Sequence, residues 1–224
     1  LETIGDTLFL SSGGGGIFRS FDMGLSWTSV GFQGYNLGDL ACNGKDLVAI
    51  NGGGGIYLST NLGLSWADLT PRINPSLLTQ FHLTNALFIG DTILTGYRAL
   101  QGTGILKSTD LGENWKKIQF TPGPSKLVRY DSTLFAVAGR SVLSSKDGGE
   151  SWSKTVDAVW LGGYSSLTDF YKKGSLLLCI HEDIYEGGGM MMSKDGGTTW
   201  SSFQNNLLQA TVSSFLIDGN VILA

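Results

Sequence analysis

The stretch SFDMGLSW at residues 20–27 decides the fold, because the chain repeats it. Four further segments, at residues 59–66, 108–115, 145–152 and 193–200, align with it without gaps and share the pattern S-x-[DN]-x-G-x-x-W. Consecutive copies begin 37 to 49 residues apart. Self-similarity at such a period is typical of repeat architectures, in which each repeat is one supersecondary unit. Each eight-residue copy is termed a box below, and the boxes are numbered in chain order.

Each residue type of the box suits a tight turn between two strands. The Asp or Asn oxygen can accept backbone N–H groups, the glycine supplies a positive φ, the serine caps the turn, and the tryptophan begins the next strand and packs over the turn or between sheets. Five equivalent copies around a ring cannot all face one site, so we predict structural rather than catalytic or metal-binding roles. The box residues are Ser20, Asp22, Gly24, Trp27, Ser59, Asn61, Gly63, Trp66, Ser108, Asp110, Gly112, Trp115, Ser145, Asp147, Gly149, Trp152, Ser193, Asp195, Gly197 and Trp200.

The sequence around every box has the character of short strands. An apolar run leads into each box, a Gly-rich or small-residue turn separates it from a second apolar run, and a third lies before that. The segment after each box tryptophan also reads as a half-buried strand. No segment shows helical periodicity over the length of a typical helix. The sequence therefore predicts an all-β fold, a β-propeller of four-stranded antiparallel blades.

The repeats divide the chain into five complete blades and half of a sixth, within a single propeller domain over 1–224. The blades span about 1–31, 38–70, 84–120, 125–156 and 166–204, with a partial blade over 212–224. Both ends carry the first and second strands of a blade, so we expect a segment of a longer ring of six to eight blades. A five-bladed ring with a spare hairpin is the alternative. An open end would leave a blade face for missing blades or another copy.

The boxes resemble the Asp-box, or BNR, repeat. This repeat occurs in sialidases, some glucan-degrading glycosidases, sortilin-type receptors and photosystem-assembly propellers, and in uncharacterised secreted bacterial propellers. The phrasing GDTLFL…GGGGIFRSFDxGxSW looks most like the last group. The resemblance covers nearly the whole chain and implies a propeller in an extracellular, cell-surface or periplasmic setting. It leaves the activity open, because one fold hosts unrelated functions.

Composition excludes several classes of function. The formal net charge is −4, which argues against a nucleic-acid-binding protein with its usual basic stripe. No run of 18 apolar residues predicts a membrane span. Cys42 and Cys179 lie in apolar stretches and are expected to be buried free thiols, although a disulfide between them stays open. We expect no cofactor and no metal.

Ligand contacts are expected on the face that carries the loops between second and third strands and the links between blades, because a rigid scaffold positions such loops. The longer of these segments are 68–82, 96–104, 157–166 and 181–189, and the dense polar cluster HEDIYE at 181–186 lies in the last. Solvated loops and ordinary packing are the alternative interpretations. The candidate residues are Arg72, Tyr97, Arg98, Arg140, Trp160, Tyr164, His181, Glu182, Asp183, Tyr185 and Glu186.

These candidates favour binding over catalysis. A sialidase resemblance would require three arginines that clamp a carboxylate, and the Arg-Ile-Pro signature before the first box is absent. A glycosidase with two carboxyl groups would need them about 5–9.5 Å apart, and the pairing that the sequence offers is Glu182, Asp183 or Glu186 facing Asp157 or Asp169. We therefore predict a non-enzymatic binding or scaffold propeller for a protein or glycan. A glycoside hydrolase, sialidase-like or glucan-degrading, and a purely structural segment of a larger surface protein are the alternatives.

Overall fold

The computed structural model describes residues 1–73, 80–100, 102–157, 165–183, 187–196, 198–202, 216–218 and 221–223. Within these ranges the regular elements are β-strands, apart from a 3-10 turn at Thr70–Arg72. The chain divides into two compact units, Leu1–Leu127 and Val128–Ala224, and the division falls within a strand.

The first unit contains three four-stranded antiparallel sheets, each following the chain order. Their strands are β1 (Glu2–Ile4), β2 (Thr7–Ser12), β3 (Gly16–Ser20), β4 (Thr28–Gly31); β5 (Leu37–Cys42), β6 (Leu47–Asn51), β7 (Ile56–Ser59), β8 (Ala67–Asp68); and β9 (His82–Ile89), β10 (Thr92–Ala99), β11 (Gly102–Ser108), β12 (Lys116–Gln119). The predicted meander of four strands per repeat is confirmed in each, with a box closing the hairpin of the third and fourth strands.

The second unit repeats this arrangement. Its described strands are β13 (Lys126–Tyr130), β14 (Thr133–Ala138), β15 (Ser141–Ser145), β16 (Ser153–Asp157); β17 (Ser165–Lys173), β18 (Leu176–Asp183), β19 (Gly187–Ser193), β20 (Ser201–Ser202); and the hairpin of β21 (Leu216–Asp218) and β22 (Val221–Leu223). Two four-stranded sheets and one two-stranded sheet result, which match the two last full blades and the half blade predicted from the sequence.

The blades pack face to face within each unit because their central strands are apolar on both sides. On β6, Leu47 and Ala49 pack in a core with Phe9 of the first blade, whereas Val48 and Ile50 pack in a core with the third blade. Both sets are fully buried. In the second unit one core likewise joins Phe135 of the fourth blade to residues of the fifth. A thin sheet thus buries both faces, which accounts for the near-continuous apolar runs.

Two segments predicted as loops are extended hairpins. Strands β10 and β11 stay paired as far as Ala99 and Gly102, and β18 runs to Asp183 opposite Gly187. The glycines of these two segments were expected to form loops, but they instead allow neighbouring backbone segments to approach closely. A Cβ on Gly104, whose φ is +159°, would lie 2.1 Å from the carbonyl oxygen of Ile118 on the neighbouring strand.

One of the two cysteines is less buried than predicted. Both cysteines are free, as predicted, and Cys179 is buried in the core of the second unit. Cys42 is only half-buried, and its Sγ lies 3.2 Å from the carbonyl oxygen of Thr3. Burial raises the pKa of both thiols, so both are held as thiols at neutral pH.

The box is closed by hydrogen bonds centred on the serine and the acidic residue. In box three the Ser108 hydroxyl donates to Asp110 Oδ1 at 2.7 Å and accepts the Gly112 N–H at 2.8 Å. The Asp110 carboxylate also accepts the backbone N–H and the side-chain amide of Asn114. The Trp115 indole N–H then donates to the Gly112 carbonyl at 3.1 Å. The turn therefore satisfies its own buried polar groups.

The serine–carboxylate contact recurs in every box, and most of the remaining bonds recur with it. The serine hydroxyl lies 2.7–3.0 Å from the Asp or Asn oxygen in all five. Box two differs at the tryptophan, because Trp66 donates to the Val30 carbonyl of the preceding blade at 3.3 Å. The residue before each tryptophan, which the sequence pattern left unspecified, bonds to the Asp or Asn through its backbone N–H and its side chain; these residues are Ser26, Ser65, Asn114, Ser151 and Thr199.

The residue before the box glycine also adopts a left-handed conformation. The φ is +58° at Met23 and +55° at Leu111, and boxes four and five carry Gly148 and Gly196 at this position. A non-glycine residue there costs roughly 1–2 kcal/mol. Leu111 packs against a core, whereas Met23 is 79% exposed.

A second repeated contact joins neighbouring first strands. Asp39, at a bulge in β5, accepts the Ala86 N–H of β9 through Oδ2 at 3.0 Å and the Leu40 N–H through Oδ1 at 2.9 Å. At the equivalent position of β9, Asn85 donates its side-chain amide to the Leu127 carbonyl at 3.1 Å. Burial raises the pKa of Asp39 despite these bonds. Asp39 therefore fastens β5 to β9, and Asn85 fastens β9 to Leu127, the last residue of the first unit.

The box carboxylates make the fold sensitive to acid. The Ser26 hydroxyl and N–H lower the pKa of Asp22 from 3.8 to about 2, and the Asn114 N–H and side chain lower the pKa of Asp110 to about 2. Because the folded pKa is depressed, this contribution to stability is present above pH 4 and is lost as the pH falls towards 2. We expect the urea midpoint to decline over that interval and the Asp22→Asn variant, which copies Asn61 and Ser65 of box two, to decline less steeply. An identical pH profile for the variant would contradict this account.

The left-handed residue should respond differently in two boxes. Met23→Gly is expected to raise the free energy of unfolding by up to about 1 kcal/mol, because it relieves strain without losing packing. Leu111→Gly is expected to lower it, because the half-buried side chain is lost from the core. Urea unfolding of both variants tests the pair, and destabilisation by Met23→Gly would show that the φ is not strained.

Asp39 and Asn85 should not tolerate exchange of their side chains, Asp for Asn or Asn for Asp. Asp39→Asn would turn an amide donor towards a backbone N–H, and Asn85→Asp would turn a carboxylate towards the Leu127 carbonyl. We expect each to lower the free energy of unfolding by about 1–3 kcal/mol, the usual cost of an unsatisfied buried polar group. Asn36→Asp, at an exposed position just before β5, is the control. Unfolding midpoints equal to that of the unmodified chain would contradict the proposed stabilising role of Asp39 and Asn85.

Candidate recognition surface

An aromatic patch in the first unit comprises Phe32, Tyr35, Tyr57 and Trp66. The ring centroid of Phe32 lies 5.6 Å from Tyr35, 4.8 Å from Tyr57 and 5.2 Å from Trp66, in edge-on or tilted arrangements. Such geometries are the favourable ones for aromatic pairs. Tyr35 is 48% exposed, while the other three rings are partly buried. The patch therefore offers an ordered aromatic surface to solvent.

The link between the first and second blades holds this patch in place. The N–H of Gly14, in the Gly-rich turn between β2 and β3, donates to the Tyr35 carbonyl at 3.2 Å, and Gly34 donates to the Gly14 carbonyl at 2.9 Å. Phe32 adopts a left-handed φ of +63°, which is uncommon for an aromatic residue. Backbone strain of this kind persists only where the surroundings enforce it. The link is thus fastened to the blade rather than free to rearrange.

A second Gly-rich turn, between β6 and β7, adjoins Tyr57. Asn51 Oδ1 accepts the Gly55 N–H at 2.7 Å, and His82 Nδ1 lies 2.5 Å from the Gly52 carbonyl. Burial and the nearby Asp68 raise the pKa of Tyr57, so its hydroxyl stays protonated at neutral pH. The patch can therefore combine ring contacts with a hydroxyl donor.

The three candidates predicted in the first unit differ in their exposure and in their partners. Arg72, in the 3-10 turn, forms an ion pair of 2.7 Å with Glu113 of box three. Tyr97 lies in β10 rather than in a loop and is fully buried in a core, with Lys117 Nζ 5.6 Å from its ring centre. The Tyr97 side chain therefore contributes to core packing and is not available for a surface contact. Arg98, the next residue of β10, is exposed.

In the second unit, two candidate residues of opposite charge influence each other electrostatically. Arg140 lies in the turn after β14, and Asp157 ends β16. Lys154, 2.8 Å away, lowers the pKa of Asp157, and Arg140 contributes a smaller effect in the same direction. Asp157 is therefore ionised and unsuited to donate a proton. Asp169, the alternative to Asp157 in the predicted pair of carboxyl groups, accepts the Phe170 N–H at 2.7 Å.

The described part of the polar cluster, residues 181–183, lies in a strand. His181 and Glu182 lie in β18 opposite Leu167 and Ser166 of β17, with His181 half-buried and Glu182 exposed. The backbone of Asp183 ends β18. The remaining candidates fall outside the described residues: Trp160, Tyr164, Tyr185 and Glu186.

Sequence reasoning missed the aromatic patch because it ranked loops by length. The link that carries Phe32 and Tyr35 is short, although the letters FQGY at 32–35 place two aromatic residues around a turn glycine. Within the described ranges, no group of three or more His, Cys, Asp or Glu residues could hold a metal ion. The same part of the chain contains no helix that could span a membrane.

The comparisons with known proteins rest on structure alone. No protein-family model matches the chain, and no curated protein matches it. Among solved structures, YCF48 bound to a D1 peptide is similar over 96% of this chain and 85% of that chain, at 15% identity and a TM-score of 0.62. A GH74 xyloglucanase from Xanthomonas campestris is similar over 88% of this chain and 36% of the enzyme, at 17% identity and a TM-score of 0.65.

A third similarity is to the extracellular domain of the hybrid two-component system BT4673 from B. thetaiotaomicron. It covers 95% of this chain and 29% of that one, at 11% identity and a TM-score of 0.69. The chain thus spans about a third of the xyloglucanase and of BT4673. Together with the four-stranded antiparallel sheets, these similarities show that the chain has the β-propeller fold.

Proposed function

We propose that this propeller is a non-enzymatic binding module that recognises a protein segment through the aromatic patch of its first unit. The observation that carries the proposal is the exposed Tyr35 ring, held by Phe32 and Tyr57 on a link fastened to the blade. Rigid aromatic side chains contribute large contact areas at low entropic cost and are enriched at binding hot spots.

A peptide suits this surface better than a small polar ligand does. The two Gly-rich turns beside the patch expose glycines at Gly13, Gly14 and Gly53, where the absence of a side chain lets an extended peptide approach closely. The structural similarity to YCF48 bound to a D1 peptide supports this choice. A glycan ligand is the other occupant to be tested. Arg98 in the first unit, and Arg140 and Glu182 in the second, each remain proposed ligand contacts of their own unit.

A glycoside hydrolase is the second candidate, supported by the likeness to a GH74 xyloglucanase. Such enzymes require one carboxyl group with a raised pKa as the acid. In the second unit the pKa of Asp157 is lowered, so Asp157 could serve only as the nucleophile or base of such a pair and not as its acid. We infer an extracellular, cell-surface or periplasmic setting, which the likeness to the extracellular domain of BT4673 supports.

Peptide and glycan arrays probed with the purified chain test the proposal. We expect selected peptides to bind, and Tyr35→Ala to weaken their binding at least tenfold, or about 1.4 kcal/mol, without changing the thermal midpoint. Leu25→Ala is the matched control, because Leu25 is 89% exposed and lies in box one, away from the patch.

Two results would overturn the proposal. One is peptide binding that Tyr35→Ala leaves unchanged. The other is hydrolysis of xyloglucan or of a sialyl reporter substrate that Glu182→Gln abolishes, because the candidate carboxylates of the second unit would then be catalytic.

A further inference from the structure

A separate pocket lies beside box four, in the second unit. It has a volume of about 350 Å³ and is lined by Ser144, Lys146, Asp147, Ser151, Trp152 and Ser153. This volume is near the lower end of ligand pockets, which run from about 300 to 1,000 Å³. It suits a ligand of one or two sugar rings rather than a polymer.

The pocket exists because one cross-strand pair is unusually small in this blade. Ser144 and Ser153 face each other across β15 and β16, immediately before and after box four. Every other blade has at least one longer side chain at this pair; the equivalent pairs are Arg19 with Thr28, Leu58 with Ala67, Lys107 with Lys116, and Met192 with Ser201. In the first blade the Arg19 guanidinium reaches the Leu62 carbonyl at 2.9 Å, a span that serine cannot cover.

The lining offers donors and acceptors without a net charge. Lys146 is exposed and positive, and Asp147 is negative. Bonds from Ser151 and Ser145 lower the pKa of Asp147, so the carboxylate stays ionised. Ser144 Oγ accepts the Thr155 hydroxyl at 2.6 Å, and the Ser153 hydroxyl lies 3.5 Å from the Ser144 carbonyl.

We propose that this pocket binds a neutral saccharide unit. Sugar hydroxyls both donate and accept, which matches a lining of serine hydroxyls, one ammonium group and one carboxylate. The balanced charge disfavours an anion such as phosphate, which would meet Asp147 as well as Lys146. Trp152 adds apolar area to the lining, as is usual in ligand sites. The site belongs to the second unit and does not depend on the aromatic patch.

Ligand-observed NMR with neutral gluco-, galacto- and manno-disaccharides, and with inorganic phosphate in a parallel sample, tests this inference. We expect at least one disaccharide to bind with a Kd of about 1–10 mM, the range for a small ligand in an open site, and phosphate not to bind. Ser144→Arg, which copies the first blade, fills the pocket and should weaken binding at least tenfold. Lys146→Gln should weaken it severalfold and covers the case in which the arginine variant does not fold.

The control is Lys194→Gln, the same position in box five, which should leave the affinity unchanged. Tyr35→Ala should also leave it unchanged, so that failure of this site and failure of the peptide site are distinguishable. The inference is overturned if no disaccharide binds, if phosphate binds instead, or if Ser144→Arg and Lys146→Gln both retain the original affinity.

Discussion

The structure depends on one small hydrogen-bonded contact, the box serine hydroxyl that donates to a carboxylate or amide oxygen and accepts a glycine N–H. The fourth strand of a blade can be only two residues long, as at Ala67–Asp68 and Ser201–Ser202. A strand of that length has too few ladder bonds to hold itself against a sheet. The box holds it, because the serine and the Asp or Asn side chain close the turn before the outer strand begins. Each blade therefore has an edge that does not depend on strand length.

The sequence predicts this element well because the bonds of its serine and its Asp or Asn are local. The serine, the Asp or Asn and the glycine lie within five residues of one another, so their spacing can be read directly from the sequence. The position before the tryptophan was missed because Ser, Asn and Thr alternate there, yet Ser26, Asn114 and Thr199 can all bond to the box acid. The side chains of Asp39 and Asn85 were missed for the opposite reason. Their partners, Ala86 and Leu127, lie more than 40 residues away.

The candidate site could be predicted only in part, because exposure depends on register and on neighbouring blades. Tyr97 follows Gly96 in a stretch rich in loop residues, but pairing of β10 with β11 continues past it and places its ring in a core. Tyr35 stands in a short link that suggested no site, and its carbonyl contact with Gly14 fixes it at the surface. Loop length in the sequence is thus a weaker guide to a surface than the hydrogen bonds that fasten a loop.

Because the box depends on few residues, a repeated scaffold can carry different ligands on different blades. The box needs only its serine, its Asp or Asn, its glycine, its tryptophan and the polar residue before the tryptophan. The remaining positions vary in residue type, although the residue before the glycine keeps a left-handed φ. Box one places Phe21, Met23 and Leu25 at the exposed positions, whereas box four places Lys146, Gly148 and Glu150 there. Since the flanking pair also varies, from Arg19 and Thr28 to Ser144 and Ser153, each blade can open or fill its own pocket without disturbing the turn. A binding surface can therefore change one blade at a time while the contact that defines the blade stays intact.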